Sequence, residues 1–326
     1  MSAPILEAAG LVKHFPAGGF GPNRRIVRAV DGVGFALRAG ETLGVVGESG
    51  CGKSTMARLL VQLLEPTEGT VRLHGRAVGA ELPLREFRRR VQMVFQDSFA
   101  SLNPRMTMAD AIAFGPAVHG ASRAEAARVA RDLLDRVGLD PDRFGPRYPH
   151  ELSGGQRQRV NIARALAFEP EVLVLDEAVS ALDKSVEAQV LNLLLDLKRE
   201  RGLTYVFISH DLNVVRHVSD RVMVMYLGEL AEIGPAADLY ARPRHPYTEA
   251  LLAAMPSLDP DRRTERAPLA GDPPNPIDPP PGCRFHTRCP RAFAPCGAEH
   301  PAARAVGPHH RAACHLNDPA VEGAAA

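Results

Sequence analysis

Over about the first 235 residues, short apolar runs alternate with longer stretches in which apolar residues recur at helical spacing, the pattern of an α/β domain with crossover connections. Thr42 to Val46 (TLGVV), Val91 to Phe95 (VQMVF), Val172 to Leu175 (VLVL) and Tyr205 to Ser209 (YVFIS) have the length and content of buried strands. Lys53 to Leu64 and Val186 to Glu200 read as helices. Ala121 to Val137 (ASRAEAARVARDLLDRV) sets Ala and Leu against Arg and Asp, so it predicts an amphipathic helix. From Gly234 onward the composition shifts. Residues 256–281 are rich in Pro, and DPPNPIDPPPG predicts an extended linker that is neither helix nor central strand. The segment beyond it, 282–326, carries four of the five Cys and predicts a second, small module.

Composition adds exclusions. Hydrophobic types make up 45% and charged types 24%, which excludes a disordered tail protein and a collagen-like repeat. Lys plus Arg number 39 against 38 for Asp plus Glu, and a net charge of +1 is too balanced for a protein whose main task is to coat nucleic acid. No stretch approaches the roughly eighteen apolar residues of a membrane helix, and the N-terminus lacks the succession of a signal peptide. The chain is therefore expected in the cytosol, with other polypeptides supplying the spans of any membrane process it serves.

Candidate chemistry begins directly after TLGVV. Gly47-Glu-Ser49-Gly50-Cys51-Gly52-Lys53-Ser54-Thr55 matches GxxxxGK[ST] between a predicted strand and a predicted helix. Glycines let the backbone wrap around phosphates so that N–H groups and the helix N-terminus face the anion. Lys53 would then reach the β- and γ-phosphates and Ser54 would ligate Mg²⁺; Cys51 needs no role beyond that of a small residue. Downstream, the strand Val172 to Leu175 ends in Asp176 and Glu177. Alone this is a core strand followed by surface acids. Behind a phosphate loop, Asp176 becomes the acid that holds Mg²⁺ and Glu177 the group that orders and polarises the attacking water. Between these motifs, Leu152-Ser153-Gly154-Gly155-Gln156 precedes a helix, and its hydroxyl and N–H groups offer a second phosphate-binding surface. Two such surfaces about a hundred residues apart serve one γ-phosphate most simply when they belong to different subunits.

Together these motifs resemble the ATPase subunit of an ABC transporter, with the Walker A loop at Gly47 to Thr55, the signature at Leu152 to Gln156 and Walker B at Val172 to Glu177. The resemblance implies an α/β P-loop core with a helical insertion over about 97–168 and an N-terminal antiparallel β portion, the whole ATPase spanning 1–255. It implies further roles: Gln96 as the glutamine that touches Mg²⁺ and links the site to the membrane subunit, Ser180-Ala181-Leu182-Asp183 as the D-loop, His210 as the γ-phosphate switch histidine. It also offers Phe15 as the aromatic that stacks on adenine, against the plainer reading of an apolar strand residue.

QDSFASLNPRMTM (Gln96 to Met108), RYPHELSGGQRQR (Arg147 to Arg159) and HPYTEALLAAMP (His245 to Pro256) narrow the resemblance to the ATPases of dipeptide, oligopeptide and nickel importers. The GESGCGKST loop and the FPAGG segment look more like the second of their two ATPase subunits. The implied partners are two transmembrane permeases, a second ATPase in a heterodimer and an extracytoplasmic solute-binding protein, with no nucleic acid; the implied place is the cytoplasmic face of the membrane. Three positions depart from the family pattern: Ala178 stands where Pro usually follows the catalytic Glu, Ser98 where Pro usually follows Gln-Asp, and Lys184 where a small apolar residue usually follows the D-loop Asp. A missing Pro loosens the chain by about 0.4 to 1 kcal/mol without removing a chemical group.

The remaining cysteines form Cys283-x5-Cys289-x6-Cys296-x17-Cys314 in a segment with little apolar content. A reducing cytosol argues against disulfides, and four thiolates in a core-poor segment argue for a metal that supplies folding energy. The short gaps do not fit the usual zinc spacing. A [4Fe–4S] cluster suits four thiolates with a Cys-Pro step better, although the gaps are not those of common ferredoxins, and some of the importer ATPases hold such a cluster in this region. Zinc and unligated thiols stay open beside it. Two other functions compete: a soluble ABC ATPase acting on ribosomes or DNA, which usually carries two cassettes or a long coiled-coil insertion, and a redox-sensing module with an incidental ATPase, against which intact Asp176, Glu177 and His210 speak.

Overall fold

The computed structural model of the chain describes residues 3–18, 25–255 and 271–319. In chain order the elements run β1 (Leu6–Pro16), β2 (Ile26–Leu37), β3 (Thr42–Val46), α1 (Lys53–Leu60), β4 (Glu68–Leu73), β5 (Arg76–Ala77), α2 (Leu84–Arg90) and β6 (Val91–Val94). The helical stretch follows, with α3 (Met108–Val118), α4 (Arg123–Arg136), α5 (Pro141–Phe144) and α6 (Gly154–Leu166). Then come β7 (Val172–Asp176), α7 (Lys184–Arg201), β8 (Thr204–Ile208), α8 (Leu212–Val218), β9 (Arg221–Tyr226), β10 (Glu229–Pro235), α9 (Ala236–Ala241), α10 (Pro246–Ala253), β11 (Ala303–Gly307) and β12 (His310–Ala313). The chain divides into two compact units. One is built mainly of 73–209, and the other of the described residues in 7–37, 42–72 and 210–319.

In the first unit β6, β7 and β8 are parallel neighbours, with Val94 opposite Leu175 and Asp176 opposite Ile208. Every residue of β7 and β8 is buried, as expected of parallel strands covered on both faces. The predicted amphipathic helix is α4. It starts two residues later than its periodicity suggests, because Ser122 caps it in a reciprocal box with Glu125 and so leaves Ala121 outside. Helix α7 also runs longer than predicted, from its Asp183 cap to Gly202, which ends it in the left-handed region at φ 63°. The insertion expected over about 97–168 is helical from α3 to α6.

In the second unit β3 runs parallel to β9, with Val46 opposite Val224, and β9 turns back into β10. Strands β2, β1 and β4 form the N-terminal antiparallel sheet. Helix α1 stops at Leu60 rather than Leu64: Gln62 takes a positive φ of 55°, and the N–H groups of Leu63 and Leu64 return to the Arg58 carbonyl. The linker falls partly outside the described residues, and its described portion, 271–281, holds neither helix nor strand.

The cysteine segment was expected to form a small module of its own. Its hairpin β11–β12 instead pairs with β10, Glu232 opposite Ala312, within the second unit. Buried charge fixes the contact. Glu232 is fully buried: its Oε1 accepts from the Arg244 N–H and lies 2.7 Å from Nε2 of buried His310, and its Oε2 accepts from the His245 N–H. Phe285, 2% exposed, sits among Tyr226, Tyr247 and His245 at ring distances of 5.3 to 5.9 Å, so the tail shares the core of its unit.

Candidate nucleotide site and cysteine tail

The phosphate loop follows from local backbone demands. Gly47 has φ 150°, and a Cβ there would meet the Met225 carbonyl oxygen at 2.3 Å; Gly52 has φ 103°, and a Cβ would meet the Ala29 carbonyl oxygen at 2.0 Å. Both glycines are therefore required by close backbone approach. Lys53, 6% exposed, curls back over the loop and donates to the carbonyls of Gly47 at 2.7 Å and Glu48 at 2.9 Å. Its third contact is Cys51 Sγ at 3.7 Å. Burial raises the pKa of the Cys51 thiol, and the Lys53 charge offsets only part of that. Ser49 and Gly50 are exposed at the loop's crest, while Ser54 and Thr55 are half-buried in the first turn of α1. Phe15 lies half-buried in β1 with Lys13 Nζ 5.4 Å from its ring centroid.

In the first unit, Asp176 closes β7 at 3% exposure and Glu177 follows it with a positive φ of 48°, a conformation that costs on the order of 1 kcal/mol for a side-chain-bearing residue. The Glu177 N–H donates to the Ile208 carbonyl at 3.0 Å. Gln96, just past β6, donates its side-chain amide to Glu177 Oε2 at 2.8 Å. Ala178, where the family usually has Pro, is buried. Ser180 donates its hydroxyl to the Glu177 carbonyl at 3.0 Å, Ala181 is exposed and Leu182 half-buried, and Asp183 caps α7 through the Val186 N–H at 3.0 Å. Hydrogen bonds from Val186 and Ser185 hold the Asp183 carboxyl below its ordinary range. Lys184 pairs with Glu187 at 3.2 Å, and Ser98 lends its carbonyl to the Asn161 amide at 3.0 Å.

The signature forms a capped helix start. Ser153 Oγ accepts from the Gln156 N–H at 3.3 Å, and Gln156 Oε1 accepts from the Ser153 N–H at 3.0 Å. Leu152 is buried and Ser153 exposed. Gly154 is followed by Gly155, where a Cβ would meet Val186 Cγ1 at 2.4 Å, so helix α6 can approach α7 only through glycine. His210 lies two residues beyond β8, exposed, at the start of the chain's return to the second unit. A surface depression of about 1240 Å³ is lined by residues such as His119, Arg131 and Phe168 and includes no motif residue.

Cys283, Cys296 and Cys314 are buried and Cys289 is half-buried. Burial pushes the Cys283 and Cys314 thiols up to about 11, and the other thiols of the set add to the rise. Among the described residues, no three His, Cys, Asp or Glu side chains are grouped so as to hold a metal ion.

What sequence reasoning missed is the pair of arginines between these cysteines. Arg284, 6% exposed, binds Asp31 and lies 2.9 Å from Glu229, and it donates to the Leu227 carbonyl. Burial pushes the Asp31 carboxyl up, but Arg284 and His14 together hold it below its ordinary range. Arg288 grips Glu48 of the phosphate loop with both terminal nitrogens, at 2.7 and 3.0 Å. No local signal marks a partner 240 residues away.

Residues 30–180 match the ABC transporter family, and residues 231–296 match the C-terminal region of oligopeptide and dipeptide transporters. The oligopeptide transport ATP-binding protein AppF of Bacillus subtilis is 50% identical over 320 residues, covering 96% of this chain and 97% of that protein. Among solved structures, a dimeric post-hydrolysis ATP-binding cassette bound to ADP and Pi superposes with a TM-score of 0.62 at 31% identity, covering 71% of this chain and 98% of the cassette. The protein cbiO1 of Clostridium perfringens, part of the ABC transporter complex cbiONQ, gives a TM-score of 0.64 at 26% identity over 74% of this chain and 92% of its own. With its phosphate loop, its capped signature helix and its acid-tipped strand, the chain belongs to the ABC transporter family as an ATPase subunit.

Proposed function

We propose that the chain hydrolyses ATP to drive import of dipeptides or oligopeptides through separate membrane permeases. The observation that carries this is the identity of about half its residues to a peptide-transport ATPase over nearly the full length, including the tail region that motor ATPases of ribosomes or DNA have no reason to share. No described helix is long and apolar enough to cross a membrane, so permeases supply the spans and the chain sits peripherally against them. Phe99, 49% exposed on the turn after Gln96, is a candidate contact with them. A solute-binding protein delivers the peptide, and a second ATPase completes a heterodimer in which each Ser153 surface meets the ATP held by the other subunit's Lys53.

In this reading Lys53 and the loop N–H groups bind the phosphates, Ser54, Asp176 and Gln96 hold Mg²⁺ directly or through its water shell, and Phe15 stacks on adenine. Glu177 orders and polarises the attacking water, and His210 contacts the γ-phosphate. Positioning and charge stabilisation supply most of the rate. Loss of the γ-phosphate then releases the closed pair. For the tail, the finer reading is a [4Fe–4S] cluster on Cys283, Cys289, Cys296 and Cys314, which rests on four Cys in one short segment of sparse apolar content. Such a cluster would supply folding energy to a segment poor in apolar residues. The test is reconstitution with the cognate permeases in proteoliposomes: peptide uptake that needs ATP and the solute-binding protein is expected, and ATP hydrolysis indifferent to every peptide overturns the substrate class.

A further inference from the structure

Glu48, the second residue of the phosphate loop, is held from three directions. Its N–H donates to the hydroxyl of fully buried Tyr247 at 2.9 Å, and its carbonyl accepts from Lys53 Nζ at 2.9 Å. Its carboxylate is taken bidentately by Arg288, whose side chain is 6% exposed. Arg288 also reaches the Tyr226 hydroxyl at 3.3 Å, and its guanidinium lies 6.0 Å from that ring's centroid. Four residues earlier, Arg284 donates to the carbonyl of Leu227, and the next residue, Gly228, donates its N–H to the Cys51 carbonyl at 2.8 Å. The segment between Cys283 and Cys289 thus braces the phosphate loop at both Glu48 and Cys51.

We propose that Arg288 is a positioning residue for the nucleotide's phosphates, so that the cysteine tail sets the affinity of the phosphate loop through Glu48. The proposal rests on the reading of this loop as the ATP site. Two physical effects act together. The planar fork of Arg288 fixes the Glu48 side chain in one rotamer and so fixes the backbone to which Lys53 is bonded. It also neutralises a carboxylate lying in a loop built to receive a polyanion, where an unpaired negative charge would repel the ligand. Lysine at 288 keeps the charge and loses the fork.

The experiment is equilibrium binding of trinitrophenyl-ATP, with Mg²⁺, to the full chain. R288A should weaken binding by about tenfold and R288K by less. Glu48 decides whether the effect is positional: in an E48A background, where the contact has already gone, adding R288A should change the affinity by less than about twofold. Equal losses in both backgrounds overturn the proposal, because Arg288 would then act only by holding the tail together. Unaltered binding in R288A or R288K overturns it too. Should R288A fail to fold, as a thermal melt would reveal, R288K and its E48A partner carry the same comparison. Displacement of the probe from the wild-type chain by unlabelled MgATP tests the underlying ATP site separately.

Discussion

Gln96 and Glu177, 81 positions apart in the chain, meet across a 2.8 Å hydrogen bond at the ends of the neighbouring parallel strands β6 and β7. The contact ties the residue proposed to sense the membrane subunit to the carboxylate proposed to direct water. Replacing Glu177 by Gln keeps the shape and a hydrogen-bonding oxygen for Gln96 but loses the charge that orders and polarises water. Steady-state ATP hydrolysis by the assembled transporter should fall at least about a hundredfold while nucleotide binding survives. Wild-type-like turnover would remove Glu177 from the reaction.

Much of this arrangement could be read before any coordinates. A phosphate loop, a strand ending in two acids and an LSGGQ turn are local patterns, and each occupies the element its pattern predicts: Lys53 opens α1, Asp176 closes β7, Ser153 caps α6. What the sequence hides is pairing between distant charges. Arg284 and Arg288 look like ordinary surface arginines among cysteines, yet both are buried against acids far away in the chain, and buried Glu232 finds His310 across 78 positions. For the same reason the tail reads as an independent module: its apolar content is small, and nothing local shows that β12 borrows a sheet edge from β10.

The signature helix yields a second test, because Ser153 caps α6 and is also proposed to meet ATP bound by another subunit. Loss of the cap alone in Ser153→Ala should cost about 1 kcal/mol and lower the thermal midpoint by a few degrees. Gln156→Ala, which removes the reciprocal half of the box, should cost a comparable amount. The two variants part in ATP-driven pairing, measured by size-exclusion chromatography in a Glu177→Gln background. Ser153→Ala should weaken pairing more than its stability loss explains; equal pairing in both variants would leave Ser153 with the cap alone.

His245 supplies a pH dependence. The ring is fully buried, its Nδ1 accepts from the Tyr247 N–H at 3.0 Å, and its other nitrogen faces the Ala313 carbonyl, so the fold demands the neutral form. Burial pushes its pKa from the ordinary 6.5 down to about 4, against the pull of Glu232 and with a smaller push from Arg291. Between pH 6.5 and 4 the unfolded chain binds a proton at this site that the folded chain refuses, so stability rises with pH across that window. Over the full window the loss on acidification is on the order of 3 kcal/mol. Thermal melts should therefore fall by several degrees from pH 7 to pH 5, with a shallower slope in His245→Gln. Parallel slopes would assign the acid sensitivity to other groups.

The tail offers the sharpest choice among chemical species. As thiols, Cys283 and Cys314 are pushed up to about 11 by burial and stay protonated at neutral pH, so a metal must displace their protons to bind. If Cys283, Cys289, Cys296 and Cys314 carry a [4Fe–4S] cluster, protein prepared without oxygen should be brown, should hold about four iron and four sulfide per chain, and should bleach in air. Cys289→Ser or Cys314→Ser should then remove the iron. Because β12 pairs with β10 and Arg288 holds Glu48, the disturbance should not stop at the tail: MgATP affinity should fall along with the iron content. One zinc per chain would restore the tetrahedral site, and metal-free protein under anaerobic handling would leave plain buried thiols; either result defeats the cluster. A chain that loses its iron and keeps its full affinity for MgATP would show that the cluster is confined to the tail.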